Sequence, residues 1–214
     1  MKIVLPSVKT KYKSNKHDCR IGESLDDLDL ESSLRAVISC PGGGTCVMSG
    51  FPGLQTSIDG EAYTDPHNLK ATMADISNAN VNLLVILAEA DELPDDAFPA
   101  LKEEAARIDL PLAFLSIPDF QAPDDAMLAA WEKLTKECDD LPNSGGSVGF
   151  SCQYGAGRSG TMVAYVLMKL GMDKDIAIKT IRDQFPEAIE SEKQLIFLEK
   201  ISARLKDQCA DLDP

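Results

Sequence analysis

Residues 151–161, SCQYGAGRSGT, combine a thiol and a cation at a spacing that suits chemistry on an oxyanion. Cys152 follows a strand-like apolar stretch, and five residues separate it from Arg158, which opens a helix-like stretch with Ser159. A glycine-bearing loop between a strand and a helix N-terminus directs backbone N–H groups at a bound anion, and the helix dipole favours negative charge there. The planar guanidinium of Arg158 can bind two oxygens of a phosphate.

The same surroundings predict an activated thiol. A helix N-terminus and a neighbouring cation both stabilise a thiolate, so Cys152 should lose its proton readily. The pattern therefore indicates a nucleophile aimed at a bound oxyanion. The alternative is a structural cysteine beside a helix cap, because free cysteine packs mostly as a small hydrophobe.

This loop resembles the active-site loop of the cysteine-based protein phosphatases. Cys152, Gly155, Arg158 and Ser159 match the Cys-x5-Arg-Ser/Thr pattern of that family. The resemblance implies that Cys152 attacks phosphorus, that Arg158 holds phosphate oxygens and that Ser159 donates to the thiolate as it leaves. It also implies a phosphate-binding loop made of Gln153, Tyr154, Gly155, Ala156, Gly157 and Arg158.

A proton donor for the departing oxygen is expected in residues 112–123, where an apolar run enters a proline-flanked loop. A carboxylic acid on a loop can protonate the leaving group of a phosphate ester. Asp119 resembles the general-acid aspartate of the same family, while an ordinary turn aspartate is the alternative. Asp124 and Asp125 are rivals that we expect to cap the following helix instead.

A third match lies in residues 188–194, AIESEKQ, which resemble a segment of kinase-associated-phosphatase-like members of the dual-specificity branch. The resemblance implies that Gln194 orients the water that hydrolyses a phosphoenzyme, and a solvated helix residue is the alternative. Ser151 departs from the family pattern, which usually has histidine immediately before the nucleophile. That departure leaves the degree of thiol activation open.

Strand-like and helix-like segments alternate along the chain and must position these residues. They predict an α/β fold with a central, mainly parallel sheet flanked by helices, and the resemblance implies a protein tyrosine phosphatase-like fold of the dual-specificity type. We predict an N-terminal extension at 1–34, a phosphatase domain at 35–208 and a C-terminal tail at 209–214. Strands are predicted at 35–39, 46–51, 81–87, 112–117 and around Val148, and helices at 65–76, 95–108, 124–141, 158–170, 174–185 and 191–208.

Charge and hydropathy limit the function classes. The 214 residues include 21 basic and 35 acidic ones, for a net charge of -14, which argues against nucleic acid and anionic membranes as partners. No apolar run approaches the ~18 residues of a membrane span. The N-terminus has too short an apolar region for a secretory signal, so we expect a cytoplasmic protein. We also expect it to be a monomer. A basic arm within residues 9–20 precedes an acidic stretch at 23–31, and the sequence does not identify its partner.

Six cysteines are present, and reduced thiols are the simplest interpretation for a chain without a secretory signal. No spacing suggests zinc, and we expect neither metal nor cofactor. By resemblance, the loop between Cys40 and Cys46 lines the active-site side of the sheet, where either thiol could trap an oxidised Cys152. Two structural cysteines are the favoured interpretation. A cysteine–histidine protease pair has no local support, because His17 and His67 lie far from Cys152 in sequence.

These features predict a metal-independent phosphoprotein phosphatase that acts through a phosphocysteine intermediate. Uncharged side chains at Gln153, Tyr154 and Ala156 favour phosphoprotein over phospholipid. Phosphotyrosine is the expected substrate class, with phosphoserine and phosphothreonine left open, and the physiological substrate is not determined. An inactive module that binds a phosphoprotein is the main alternative. A sulfurtransferase also uses a cysteine in an anion-binding loop, but it does not need Asp119.

Overall fold

The computed structural model describes residues 32–138 and 141–210. The predicted extension lies almost wholly outside these residues, as do Cys19, the basic arm and most of the predicted tail. Seven strands occur in the described part: β1 Leu34–Ser39, β2 Thr45–Gly50, β3 Leu54–Thr56, β4 Ala62–Thr64, β5 Leu83–Ile86, β6 Leu112–Phe114 and β7 Ser147–Cys152. Six α-helices accompany them: α1 Pro66–Asn78, α2 Ala97–Arg107, α3 Asp125–Glu137, α4 Gly157–Lys169, α5 Lys174–Gln184 and α6 Glu192–Ala210.

Five strands form the central sheet in the order β1-β2-β7-β5-β6. Strand β1 runs antiparallel to β2, and the other three pairings are parallel. The predicted α/β architecture with a mainly parallel sheet is therefore confirmed. Because the carboxyl ends of parallel strands meet at one edge, the end of β7 lies beside the ends of β2 and β5, and a site can form there.

Apolar side chains bury both faces of the sheet. On β5, Leu83 and Val85 contribute to one hydrophobic cluster, and Leu84 and Ile86 contribute to the other. Helices α3 to α6 cover the first cluster, whereas α1 and α2 cover the second. Every residue of β5 and β7 is buried, as expected for central parallel strands between two helical layers.

The helix starts follow local capping chemistry. The carboxylate of Asp65 accepts from the backbone N–H of His67 at 2.7 Å, with Pro66 in the first turn of α1. Likewise, Asp124 accepts from the N–H of Met127 at 2.7 Å and caps α3. The cap predicted for Asp124 is confirmed. Asp125 is the first residue of α3, and its carboxylate lies 3.7 Å from Arg204 on α6.

Two predicted boundaries differ from the structure by three or more residues, and one hairpin was not predicted. Helix α3 ends at Glu137 instead of 141, because Cys138 adopts an extended backbone and a 3₁₀ turn follows at Pro142–Ser144. Strand β6 ends at Phe114 instead of Ile117, although the N–H groups of Leu115 and Ile117 still bond to β5 and the residue after it. The small hairpin of β3 and β4 was not predicted. Its strand residues are exposed or half-buried and give no hydrophobic alternation, although Asp59-Gly60 in its turn is a hairpin signal.

Among the described residues, none of the helices combines the length and the apolar character that a membrane span requires.

Candidate active site

Cys152 is the last residue of β7 and lies at the carboxyl edge of the sheet. Its side chain is 3% exposed, and its Sγ accepts the backbone N–H of Gly155 at 3.2 Å. The preceding Ser151 is fully buried, and its hydroxyl donates to the carbonyl of Gly50 at 3.0 Å. At the position where the family usually has histidine, serine therefore ties the end of β7 to the end of β2.

The loop between Cys152 and Arg158 is held by its carbonyl groups. Three of them accept hydrogen bonds from outside the loop: Gln153 from the N–H of Phe51 at 3.1 Å, Tyr154 from Nε of Arg35 at 3.0 Å and Ala156 from the N–H of Ile189 at 3.3 Å. With these carbonyls turned outward, the backbone N–H groups remain available inside the curve of the loop. The N–H of Gly155, which donates to Sγ of Cys152, already points inward. An anion-binding loop needs this arrangement.

Glycine is required at position 155. Its backbone has φ of +95°, and a Cβ there would overlap the backbone of Ser49 and Gly50 on β2. Any larger residue would both strain the backbone and push the loop away from the sheet. The glycine thus fixes the distance between the loop and the strand that supports it.

Arg158 is 2% exposed, and carboxylates hold its guanidinium. Its two terminal nitrogens donate to the two carboxylate oxygens of Glu92 at 2.5 and 2.6 Å. One of them also donates to the carbonyl of Ile117 at 3.0 Å, and the other lies 3.1 Å from Oδ1 of Asp119. Nε of Arg158 is buried without a hydrogen-bond partner in the part of the chain that the structure describes. An oxyanion bound in the loop would supply that partner.

The electrostatics of the site keep Arg158 charged. Burial alone would lower the pKa of its guanidinium, but the hydrogen bonds with Glu92 and the negative charges of Cys152, Glu92 and Asp119 raise it overall. The cation therefore persists in a poorly solvated position, where its attraction for a phosphate is stronger than in water.

Glu92 was missed by sequence reasoning. It ends a 3₁₀ turn, Ala90–Glu92, which follows β5 at the carboxyl edge of the sheet. Nothing in its local sequence separates it from the chain's other acidic residues, and it lies far from Arg158 in sequence. Its position just after a buried parallel strand was the one available signal, because ligand sites collect at that edge.

Replacing Glu92 should remove the bidentate contact that holds the guanidinium of Arg158 and lower the stability of the protein. In Glu92→Gln, one buried charge loses its bidentate carboxylate partner, so we expect the free energy of unfolding to fall by about 2 kcal/mol. Inorganic phosphate should stabilise the variant, because a bound anion can pair with the released guanidinium. Urea unfolding with and without phosphate measures both effects. Glu103→Gln, at an exposed position on α2, is the control, and equal stability of the two variants would contradict the role assigned to Glu92.

Asp119 lies on a loop that is bonded to the start of α6. Its side chain is 45% exposed and points at Arg158. The next residue, Phe120, has φ of +54°, an uncommon conformation for an aromatic residue. Three hydrogen bonds hold this loop: Ser191 Oγ to the carbonyl of Phe120 at 2.8 Å, Lys193 Nζ to Gln121 Oε1 at 2.8 Å, and Gln194 Nε2 to the carbonyl of Gln121 at 3.3 Å. Asp119 is thereby fixed beside the loop of Cys152.

Gln194 is fully buried, so the alternative of a solvated helix residue was wrong. Its Oε1 accepts the N–H of Ser191 at 3.1 Å, and the hydroxyl of Ser191 accepts the N–H of Gln194 at 3.2 Å. This reciprocal pair is a capping box at the start of α6. Both ends of the amide are engaged, one in the cap and the other with Gln121. The predicted role in orienting water stays a prediction.

Ser159 is buried one residue after Arg158, and its Oγ lies 3.5 Å from the carbonyl of Ser49. The observed donor to the sulfur of Cys152 is the N–H of Gly155, not this hydroxyl. A thiolate formed during the reaction would offer Ser159 a stronger acceptor than a carbonyl does. Its predicted role with the leaving thiolate stays a prediction.

The less favoured alternative, that Cys40 or Cys46 lies close enough to trap an oxidised Cys152, was wrong, and the structure agrees with the favoured interpretation of two structural cysteines. Cys46 pairs with Val148, whereas Cys152 pairs with Gly50, so the two cysteines lie about four residues, or roughly 13 Å, apart along the sheet. Sγ of Cys40 is 3.5 Å from that of Cys46, at the opposite edge from the site. A disulfide needs Cα atoms within about 7 Å, so neither thiol can trap Cys152 without a large rearrangement.

Two carboxylates contact the guanidinium of Arg158, and a third lies beside the phosphate-binding loop. Glu92 and Asp119 contact its guanidinium, and Glu190 lies next to Gly157 of the loop. Within the described residues, no three His, Cys, Asp or Glu side chains are grouped as ligands for a metal ion. The arrangement can bind an oxyanion, attack it with sulfur and exchange protons with it.

Comparison with known proteins identifies the family. Residues 61–204 match the model of the Swiss Army Knife protein family's DSP-PTPase phosphatase domain. The chain belongs to this family. This DSP-PTPase domain contains Cys152, Arg158, Asp119 and Gln194, as well as Glu92 and Glu190, which the sequence analysis did not identify.

Two curated relatives agree with this assignment. The domain is 34% identical over 111 residues to protein tyrosine phosphatase type IVA 3 of Bos taurus, and 35% identical over 94 residues to PRL-1 phosphatase of Drosophila melanogaster. These alignments cover 51% and 43% of this chain, and the chain spans 59% and 52% of the two relatives' lengths. The solved structure of kinase associated phosphatase shares the fold, with a TM-score of 0.62 and 19% identity over 80% of this chain and 96% of that one.

Proposed function

We propose that this DSP-PTPase domain is a phosphoprotein phosphatase that cleaves phosphate monoesters through a phosphocysteine intermediate. One observation carries the proposal. The loop from Cys152 to Arg158 turns three carbonyls outward and directs the N–H of Gly155 at the sulfur, 3.2 Å away. Membership of a phosphatase family and the unpartnered Nε of Arg158 support it.

The first step transfers the phosphoryl group to sulfur. The thiolate of Cys152 attacks phosphorus, and the bond from phosphorus to the ester oxygen breaks. Arg158 and the loop N–H groups hold the non-bridging oxygens, where the charge of the transition state is spread. Asp119, fixed beside the loop, gives its proton to the departing oxygen.

The second step returns the thiolate. Water attacks phosphorus from the side that the leaving group vacated, the phosphorus–sulfur bond breaks, and inorganic phosphate forms. Gln194 supports this step by fixing the loop that carries Asp119, and Ser159 donates to the thiolate as it leaves. Because the carboxylates around Arg158 hold its guanidinium in place before substrate binds, little reorganisation is required during the reaction.

Contacts at the rim favour a protein substrate. Tyr154 is 48% exposed, and the guanidinium of Arg35 stacks on its ring at 4.7 Å. The hydroxyl of Tyr154 donates to Glu187 at 2.8 Å, which restricts the position of the ring. An exposed aromatic ring on the phosphate-binding loop can pack against the ring of phosphotyrosine. We further propose a cytoplasmic location, since Cys40, Cys46 and Cys152 form no disulfide in the described part of the chain.

A pair of phosphopeptides tests the activity and the type of phosphorylated residue that the protein prefers. We expect the wild-type protein to release inorganic phosphate from a phosphotyrosine peptide in the presence of a chelator, and more slowly from the matched phosphothreonine peptide, whose phosphate sits on a shorter side chain. The measurement is phosphate release over time, with acid-quenched enzyme analysed for phosphocysteine by mass spectrometry. Binding of the phosphopeptide without hydrolysis would contradict the proposal and favour an inactive binding module.

A further inference from the structure

Three buried polar side chains meet between α1 and the residue that directly precedes β1. They belong to Ser33, Asn68 and Thr72, which are 5%, 4% and 0% exposed. Oδ1 of Asn68 accepts the hydroxyl of Ser33 at 3.2 Å and that of Thr72 at 3.4 Å, and the hydroxyl of Thr72 accepts the N–H of Ser33 at 2.9 Å. Apolar side chains of similar shape could fill this space at little cost in stability, so the polar cluster calls for a further role.

The polar cluster holds the backbone on both sides of Phe51. Oδ1 of Asn68 also accepts the N–H of Gly53 at 2.9 Å. The carbonyl of Ser33 accepts the N–H of Gly50, the last residue of β2, at 2.8 Å. Phe51 lies between these two glycines, so its own N–H has a fixed position.

Phe51 in turn sets the direction of one peptide group in the phosphate-binding loop. Its N–H donates to the carbonyl of Gln153 at 3.1 Å. The C=O and N–H of a planar trans peptide point in opposite directions, so this bond turns the N–H of Tyr154 into the loop. The next peptide shows the same relation, because the carbonyl of Tyr154 is bonded to Arg35 and the N–H of Gly155 points at the sulfur.

We propose that Asn68 is a positioning residue of the active site, which acts through Phe51 to keep the N–H of Tyr154 directed at a bound phosphate. Without Asn68, the segment after β2 gains freedom and the carbonyl of Gln153 loses its fixed donor. Its peptide group can then rotate, and the anion meets a carbonyl oxygen in place of an N–H donor. The inference rests on the proposed function, because it assigns a residue to the same phosphate site.

Binding of inorganic phosphate measures this positioning without any turnover. Asn68→Leu keeps a similar shape and removes the acceptor, so phosphate affinity measured by calorimetry should fall about tenfold, as for loss of one hydrogen bond to a charged group. The value of kcat/KM for nitrophenyl phosphate should fall by about 10², because loop donors bind the transition state more strongly than the ground state. Ile76→Val is the matched control, since Ile76 is a fully buried residue of the same helix. It should lower stability and leave phosphate affinity unchanged.

Urea unfolding of each variant separates positioning from stability. Lower stability of Asn68→Leu with unchanged phosphate affinity would overturn the proposal, because a purely structural cluster would behave in this way. Where Asn68→Leu does not fold, Ser33→Ala decides, since it removes one hydrogen bond of the polar cluster. Its phosphate affinity should fall about threefold, as for loss of one neutral hydrogen bond, and an unchanged affinity would overturn the proposal.

Failure of the proposed function would look different. The wild-type protein would then bind phosphate and hydrolyse no ester, while phosphate affinity would still depend on Asn68.

Discussion

Cys152→Ser is expected to lower hydrolysis of a chromogenic phosphate ester below ~1% of the wild-type rate, since loss of a nucleophile costs several orders of magnitude. A serine hydroxyl is a weak nucleophile at neutral pH. Among the described residues, the hydrogen bond observed at the sulfur comes from the N–H of Gly155, a donor that cannot act as a base for a serine hydroxyl. A thiolate needs no such base, and the donor stabilises its charge.

Binding of the anion should survive the same substitution. The phosphate-binding groups are the loop N–H groups and Arg158, and neither depends on the sulfur atom. Removing the negative charge of a thiolate from a buried position next to Arg158 should even strengthen binding of a phosphopeptide. Calorimetry with wild type and Cys152→Ser measures this directly. Loss of both turnover and phosphopeptide binding would show that the substitution had disrupted the loop, and residual turnover above ~1% would count against Cys152 as the nucleophile.

The segment from Cys152 to Arg158 could be predicted from the sequence. Cys152, the loop and Arg158 occupy consecutive positions between a strand and a helix, so their arrangement follows from the strand–loop–helix pattern alone. Asp119 was found because it ends an apolar run before a proline-flanked loop. The sheet order, with β7 between β2 and β5, brings the two segments together, and the alternation of strands and helices predicted this class of sheet.

The residues that reach the site from distant segments of the chain could not be predicted in this way. Glu92 reaches Arg158 from a 3₁₀ turn after β5, and Glu190 reaches Gly157 because Ile189 adopts a left-handed conformation. Neither an acidic residue in a turn nor an isoleucine with a strained backbone produces a periodic pattern in the sequence. Gln194 was found by resemblance, but the capping box with Ser191 was overlooked although Ser-x-x-Gln before a helix predicts it. The resemblance placed the loop between Cys40 and Cys46 on the active-site side of the sheet, but Cys46 lies near the start of β2, at the opposite edge.

Asp119→Ala should lower the maximal rate by about 10²–10⁴ for an ester with a poor leaving group, such as a phosphotyrosine peptide. The loss should be much smaller for nitrophenyl phosphate, whose oxygen departs with little help from an acid. Affinity should hold or increase, because the substitution removes a negative charge from the mouth of an anion site. Asp125→Ala, at the first position of α3, is the matched control and should lose neither activity. Equal losses of rate for both esters in Asp119→Ala would contradict proton donation by Asp119. Loss of a proton donor should slow the ester with the poor leaving group far more than the ester whose oxygen departs without a proton.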